Sequence, residues 1–317
     1  MRIAFLGTGD FACPALRRLA QAGHLITVAI SQPDRPAGRG LTVRPTAVHS
    51  LADQLGIRHL QVEDVNTLDP HDALGDAEIG VVAAFGQKIG PALLSALPRG
   101  CVNIHGSLLP RYRGAAPFQW AIINGDEVTG VTVFQLDQHW DAGPIWSQRT
   151  LRIGETETAS ELHDRLAALG AELIVETLTQ IERGTARPRP QDSAQATRAP
   201  RLSRADSRID WSAPAFNVAR RINGLWSWPA ATCLYRAPGG KTERLQLARA
   251  AVADTSTAPT ADFPPGALRP QGLVQAGQGC VRLLEVKPAG GRCMPFDAFA
   301  RGRSVQPPAR LLPLETP

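Results

Sequence analysis

Four short apolar runs rich in Ile and Val punctuate the first third of the chain: MRIAFLG, LITVAIS, IGVVAAFG and CVNIHG. Each stops at glycine or at polar residues. Between them, over residues 13–22, 46–55 and 91–97, apolar positions recur at helical spacing. Buried strands alternating with helices predict an α/β domain with a parallel sheet covered on both faces. TGVTVFQLD alternates more openly and predicts a later strand. TASELHDRLAALGAELIVETLTQIERG predicts one long helix, capped by Thr158 or Ser160 and stopped by Gly184.

The pattern then breaks. TARPRPQDSAQATRAPRL, residues 185–202, has three prolines and almost no large apolar residue, which is linker composition. Beyond it, ATCLYR, RLQLARAAVA, GLVQAG and CVRLLEVKPAG are β-like runs separated by Gly and Pro, as in a small barrel or sandwich. The expected boundaries are a first domain over 1–188, a linker over 189–204 and a second domain over 205–317.

Bulk composition fits two ordinary domains: 317 residues, 43% hydrophobic and 20% charged. No apolar run nears the roughly 18 residues of a membrane span. MRIAFLG is too short for a signal peptide, so the cytoplasm is the expected compartment. The five cysteines are odd in number and show no CxxC pair, which argues against a disulfide framework or a zinc site. Nothing in the chain requires more than a monomer.

Charge changes the picture more. Residues 1–182 carry a net −6, residues 183–204 a net +5, and residues 205–317 a net +6. A basic second half joined to an acidic first half suggests that the second half meets a polyanion.

Two stretches offer chemistry. GTGDFA, residues 7–12, fits a dinucleotide-binding turn, but that fingerprint wants an acidic residue at the end of the second strand. Here Asp34 sits beyond a proline, and a tight strand-to-helix turn explains the glycines equally well. CVNIHGSLLPRYRGAAP, residues 101–117, is more telling. On a strand Asn103 and His105 project to one face, and Gly106 then releases the chain at the sheet edge where α/β proteins bind ligands. DQHWDAGPI supplies Asp141 from another turn. Ser107 has no obvious activating base, and no nucleophile elbow is present. An amide, an imidazole and a carboxylate without a nucleophile suit direct transfer, in which an amine attacks a carbonyl whose oxygen gains charge.

QPDRPAGRG (32–40), NIHGSLLPRYRGAAP (103–117), GVTVFQLD…DAGPI (130–145) and RIDW (208–211) occur together in this order. By them the whole chain resembles the methionyl-tRNA formyltransferases, and its first domain is similar to the wider group that uses 10-formyltetrahydrofolate. The resemblance implies an α/β fold: a Rossmann-like formyltransferase domain followed by a β-barrel, OB-like, that binds tRNA. It implies Asn103, His105 and Asp141 as the catalytic trio, and Ser107, Leu108, Leu109 and Pro110 as the lining of the folate pocket. It also implies that Arg35, Arg39 and Arg44 meet the tRNA acceptor stem, with initiator methionyl-tRNA and 10-formyltetrahydrofolate as partners and no metal. Gly9, Lys88, His139, Asn223 and Trp226 depart from the commonest family pattern. Two alternatives stay open: a formyltransferase acting on an amino-sugar nucleotide, and a non-catalytic RNA-binding relative. The basic loop and basic second half weigh against the first, and the intact trio against the second.

Overall fold

The structure is a computed structural model describing residues 1–37, 42–253, 263–269 and 272–314. Along the chain run β1 (Arg2–Gly7), α1 (Cys13–Gln21), β2 (Leu25–Ser31), the antiparallel pair β3 (Arg35–Ala37) and β4 (Thr42–Arg44), α2 (Ala47–Leu55) and β5 (His59–Gln61). Next come α3 (Pro70–Leu74), β6 (Ile79–Ala83), α4 (Pro91–Ala96), β7 (Cys101–His105), β8 (Arg113–Gly114), α5 (Pro117–Ile123), β9 (Val128–Gln135), β10 (Ile145–Arg152) and α6 (Ala159–Glu182).

The first compact unit comprises Met1–Pro117, Thr129–Leu151 and His163–Pro200. Its seven-stranded sheet has the order β10-β9-β7-β6-β1-β2-β5, parallel from β7 to β5 and antiparallel where β9 joins β7. The predicted apolar runs are its central strands, and every residue of β6 is buried. Strand order reverses at β1, which puts the carboxyl ends of β6 and β7 beside the switch point. At the first turn a Cβ on Gly7 would lie 2.8 Å from the Ala12 side chain and 2.9 Å from the Ala83 carbonyl. Close packing therefore accounts for the first glycine of GTGDFA. Asp34 is likewise occupied: it accepts from Thr46 N–H at 2.9 Å and Gln61 Nε2 at 2.6 Å, and contacts His49 Nδ1. Burial alone would raise its carboxyl, but these hydrogen bonds outweigh it and hold it below its ordinary value. Asp34 thus clasps the two ends of the β3–β4 hairpin instead of serving a nucleotide ribose.

The stretch read as a linker lies along this unit as far as Pro200. β11 (Arg198–Ala199) pairs in parallel with β8, and Ile145 and Arg189 exchange two backbone hydrogen bonds of 2.7 and 2.8 Å. Backbone and polar groups make these ties, so an apolar pattern could not report them.

The second unit comprises Phe118–Val128, Arg152–Leu162 and Arg201–Pro317. It contains α7 (Ala215–Leu225), then β12 (Ala231–Arg236), β13 (Thr242–Val252), β14 (Leu268–Arg269), β15 (Leu273–Gln275), β16 (Cys280–Pro288), β17 (Met294–Pro295), α8 (Phe296–Arg303) and β18 (Arg310–Pro313). The antiparallel path runs β14-β15-β16-β13-β12-β18, and a bridge between Ala267 and Arg310 joins its two ends into a barrel. The helices α7 and α8 were not anticipated among the β-like runs. α5 packs under α7, where a Cβ on Gly224 would meet Ile123 at 2.6 Å. That contact draws residues 118–128 into the second unit. Asn223 is fully buried, and its amide exchanges hydrogen bonds of 2.8 and 2.9 Å with the backbone of Ala250, beside a register shift in β13.

At the start of α6 Thr158 and Glu161 form a reciprocal capping box: Thr158 N–H donates to Glu161 Oε2 at 2.9 Å and Glu161 N–H to Thr158 Oγ1 at 3.4 Å. Arg249 closes on the same carboxylate at 2.7 and 3.0 Å. Led by the Arg249 hydrogen bonds, these donors hold the Glu161 carboxyl down at about 2. A depressed carboxyl stabilises the fold above its unfolded pKa and loses that contribution as pH falls through the folded value. Glu161 is 48% exposed, so screening leaves about 1 kcal/mol. Glu161→Gln should therefore unfold more easily than the parent above about pH 4.5, the gap closing towards pH 2 in denaturant titrations.

All five cysteines are free, and among the described residues no helix is long and apolar enough to cross a membrane.

Candidate active site

Strand β7 carries Asn103 and His105 to the carboxyl edge of the first sheet. Alternation sends Ile104 the other way, against α6: its Cγ2 lies 2.8 Å from where a Cβ on Gly170 would stand. Asn103 is half-buried, and among the described residues no hydrogen bond engages its amide. A donor held by a strand with nothing yet to donate to is suited to a reacting oxygen.

His105 is 6% exposed, with Phe134 edge-on to its ring at 6.3 Å. Its Nε2 lies 2.9 Å from the Tyr112 carbonyl. A carbonyl only accepts, so Nε2 carries a proton and Nδ1 is the nitrogen left for chemistry. Asp141 faces that nitrogen, with Oδ2 at 3.9 Å from Nδ1. This is too long for a direct hydrogen bond.

Asp141 occupies the left-handed region at φ 50°, and its Oδ2 accepts from Gly114 N–H at 2.7 Å. The strand end, the 106–116 loop and the 137–143 turn thus converge, and the trio that the sequence suggested lies in one place.

The SLLP segment is built from the inside. Thr132 Oγ1 donates to Ser107 O at 2.7 Å and accepts from Leu109 N–H at 3.0 Å and Gln148 Nε2 at 2.9 Å. Ser107 Oγ donates to the Arg111 carbonyl at 2.7 Å, and Leu109 packs with Phe134 and Ile145. Ser107 and Leu109 therefore hold the loop in shape, while Leu108 and Pro110 are half-buried.

Arg35 and Arg44 stand directly opposite each other in the β3–β4 register, and both are exposed. Arg35 is paired with Glu63 at 3.0 Å. Arg39 lies outside the described residues. Lys88 is exposed. His139 is 80% exposed beside Asp137, as a surface histidine should be. Gly9 is extended at φ −87° with nothing within 4 Å of the place a Cβ would take, so that departure is sterically neutral.

One residue had no signal in the sequence. Gln191 reaches from the supposed linker to the turn of Asp141, where its Nε2 donates to the Asp141 and Gly143 carbonyls at 2.9 and 2.8 Å. A lone Gln in a Pro-rich polar stretch announces nothing.

Comparison with known proteins places the chain in a family. A formyl transferase family model matches residues 1–178, and a formyl transferase C-terminal domain model matches residues 201–304. The methionyl-tRNA formyltransferase of Heliobacterium modesticaldum is 41% identical over 97% of this chain and 98% of its own length. That of Solibacter usitatus is 40% identical over 96% of each. Among solved structures, an N-formyltransferase from Helicobacter canadensis in complex with folinic acid and dTDP-3-aminofucose superposes with a TM-score of 0.64 at 14% identity, covering 89% of this chain and 98% of that one. HypX from Aquifex aeolicus in complex with tetrahydrofolic acid gives a TM-score of 0.60 at 19% identity, over 95% of this chain and 47% of that longer one. At such identities the structures speak for the fold alone; the sequence relatives, alike from end to end, go further, and the chain belongs to the methionyl-tRNA formyltransferase family.

Proposed function

We propose that the chain transfers the formyl group of 10-formyltetrahydrofolate to the amino group of initiator methionyl-tRNA, as a cytoplasmic monomer that needs no metal ion. The observation that carries this reading is the likeness to methionyl-tRNA formyltransferases over 97% of the chain, second domain included.

The folate supplies an electrophilic formyl carbon. The incoming amine forms a C–N bond to that carbon, the bond to N10 breaks, and one proton leaves the amine while one arrives on N10. Asn103 offers an N–H to the oxygen that gains charge, a contribution of about 3–4 kcal/mol per donor. His105 offers Nδ1–H to the same oxygen when protonated, and Nδ1 is also the atom at which a proton changes hands. Asp141 stands ready for the positive charge that grows on the amine. The half-buried faces of Leu108 and Pro110 provide apolar surface for a flat pterin, on a loop that Ser107 and Leu109 keep rigid.

The Arg35–Arg44 pair supports an RNA acceptor. Like charges directly across a two-stranded ribbon destabilise it, and a phosphate between them reverses that cost. With Arg39 from the same loop they would grip the acceptor stem. Arg44→Ala should weaken tRNA binding and lower the slope of log Kd against log salt by about 1 in filter-binding titrations.

The deciding experiment supplies the purified protein with 10-formyltetrahydrofolate and either methionyl initiator tRNA or an amino-sugar nucleotide. Formyl-methionyl-tRNA is the expected product. Formylated sugar with untouched tRNA would overturn the reading.

A further inference from the structure

Gln191 lies in the interval between the two family-model matches, which end at residue 178 and resume at 201. Its side chain uses all its hydrogen-bonding capacity on the site. Nε2 donates to the carbonyls of Asp141 and Gly143 at 2.9 and 2.8 Å, and Oε1 accepts from Nε and Nη2 of Arg113 at 3.1 and 2.8 Å. Arg113 N–H donates to Thr197 O at 2.8 Å, and the next residue, Gly114, gives its N–H to the Asp141 carboxylate at 2.7 Å. The bonds form a closed ring: Asp141 carboxylate to Gly114, Gly114 to Arg113 along the chain, Arg113 to Gln191, and Gln191 to the Asp141 backbone.

We infer that Gln191 is a positioning residue for formyl transfer: it clamps the turn that bears Asp141 and so fixes the carboxylate against His105. The inference rests on the assignment of Asp141 and His105 to the chemistry. The turn needs such a clamp. Asp141 sits at φ 50°, and Gly143 passes so close to the Gln135 carbonyl that a Cβ would stand 1.9 Å from it. A backbone in this conformation persists only where its surroundings over-determine it. Two neighbouring carbonyls need two donors, and the guanidinium behind them needs an acceptor. A primary amide supplies both from one side chain. Glutamate would turn oxygen against both carbonyls, and lysine or arginine would meet the charge of Arg113.

The test compares Gln191→Ala and Gln191→Glu with the parent, and with Asp141→Asn, in steady-state formylation of methionyl-tRNA. Each Gln191 variant should lose about tenfold to a hundredfold in kcat while KM for tRNA and folate stays within about twofold, because misplacing a catalytic group taxes the transition state and not ground-state binding. Gln191→Glu keeps the side chain's shape and its tie to Arg113, so it reads out the two donated bonds even if Gln191→Ala folds poorly. A Gln191→Glu enzyme with parental kcat would overturn the inference, as would a loss confined to thermal stability. If those variants are unaffected while Asp141→Asn is inactive, only the role of Gln191 falls. An active Asp141→Asn would bring down the site assignment itself.

Discussion

Replacing Asp141 with alanine is expected to lower turnover at least about a hundredfold, with His105→Ala falling as far. Geometry sets the scale. His105 has one ring nitrogen committed to the Tyr112 carbonyl at 2.9 Å and the other facing Asp141 at 3.9 Å. Removing the carboxylate takes away the group that faces Nδ1, while removing the imidazole leaves no group to pass the proton. The two act as one device, so the double variant should cost little more than either single one, well short of the product of their losses. Asn103→Ala removes the other donor to the reacting oxygen, at about 3–4 kcal/mol in the transition state. Single-turnover formylation measures all three, with circular dichroism to verify folding. Near-parental rates in folded His105→Ala or Asp141→Ala enzyme would reject the assignment.

Much of this site was legible because strand geometry is local. Asn103 and His105 share a face through a two-residue period, and the glycine after them ends the strand. The β/α alternation of the first unit was equally readable from short windows, and of the two caps offered for α6, Thr158 or Ser160, the structure uses Thr158. The missing parts are those set by contacts distant along the chain. Gln191 meets Asp141 across 50 residues, through an amide in a stretch whose composition reads only as flexible. Strands β8 and β11 have two residues each and no pattern to detect. The motif also gave no sign that the Ser107 hydroxyl closes its own loop on the Arg111 carbonyl. In the second half, Val218, Ile222 and Leu225 do recur at helical spacing in α7, but the β-like runs around them obscured that signal. The basic linker hid its function in a different way. Its arginines suggested an anion, while the residue that ties it to the site is the uncharged one.

The second large effect should come from a single methyl group. Gly114 adopts φ 127°, a conformation open to glycine and little else, and a Cβ there would stand 2.5 Å from the Ala199 carbonyl. Gly114→Ala must therefore push β8 off β11 or rotate the peptide whose N–H holds the Asp141 carboxylate. Either response breaks the ring that passes through Arg113 and Gln191. Strain of this kind costs on the order of 1–3 kcal/mol, and a lost buried tie about 1–2 more, so stability should fall by about 2–5 kcal/mol. Turnover should drop about a hundredfold in the fraction that remains folded, because a displacement near 1 Å suffices. Gly9→Ala is the matched control. Its φ of −87° suits any residue and nothing lies within 4 Å of the added methyl, so it should stay within about 0.5 kcal/mol of the parent and keep full activity. Denaturant titration and formylation kinetics on the pair separate a general cost of filling glycines from a specific cost at the strap. If Gly114→Ala behaves like Gly9→Ala, the strap is looser than these contacts imply and does not hold Asp141 in place.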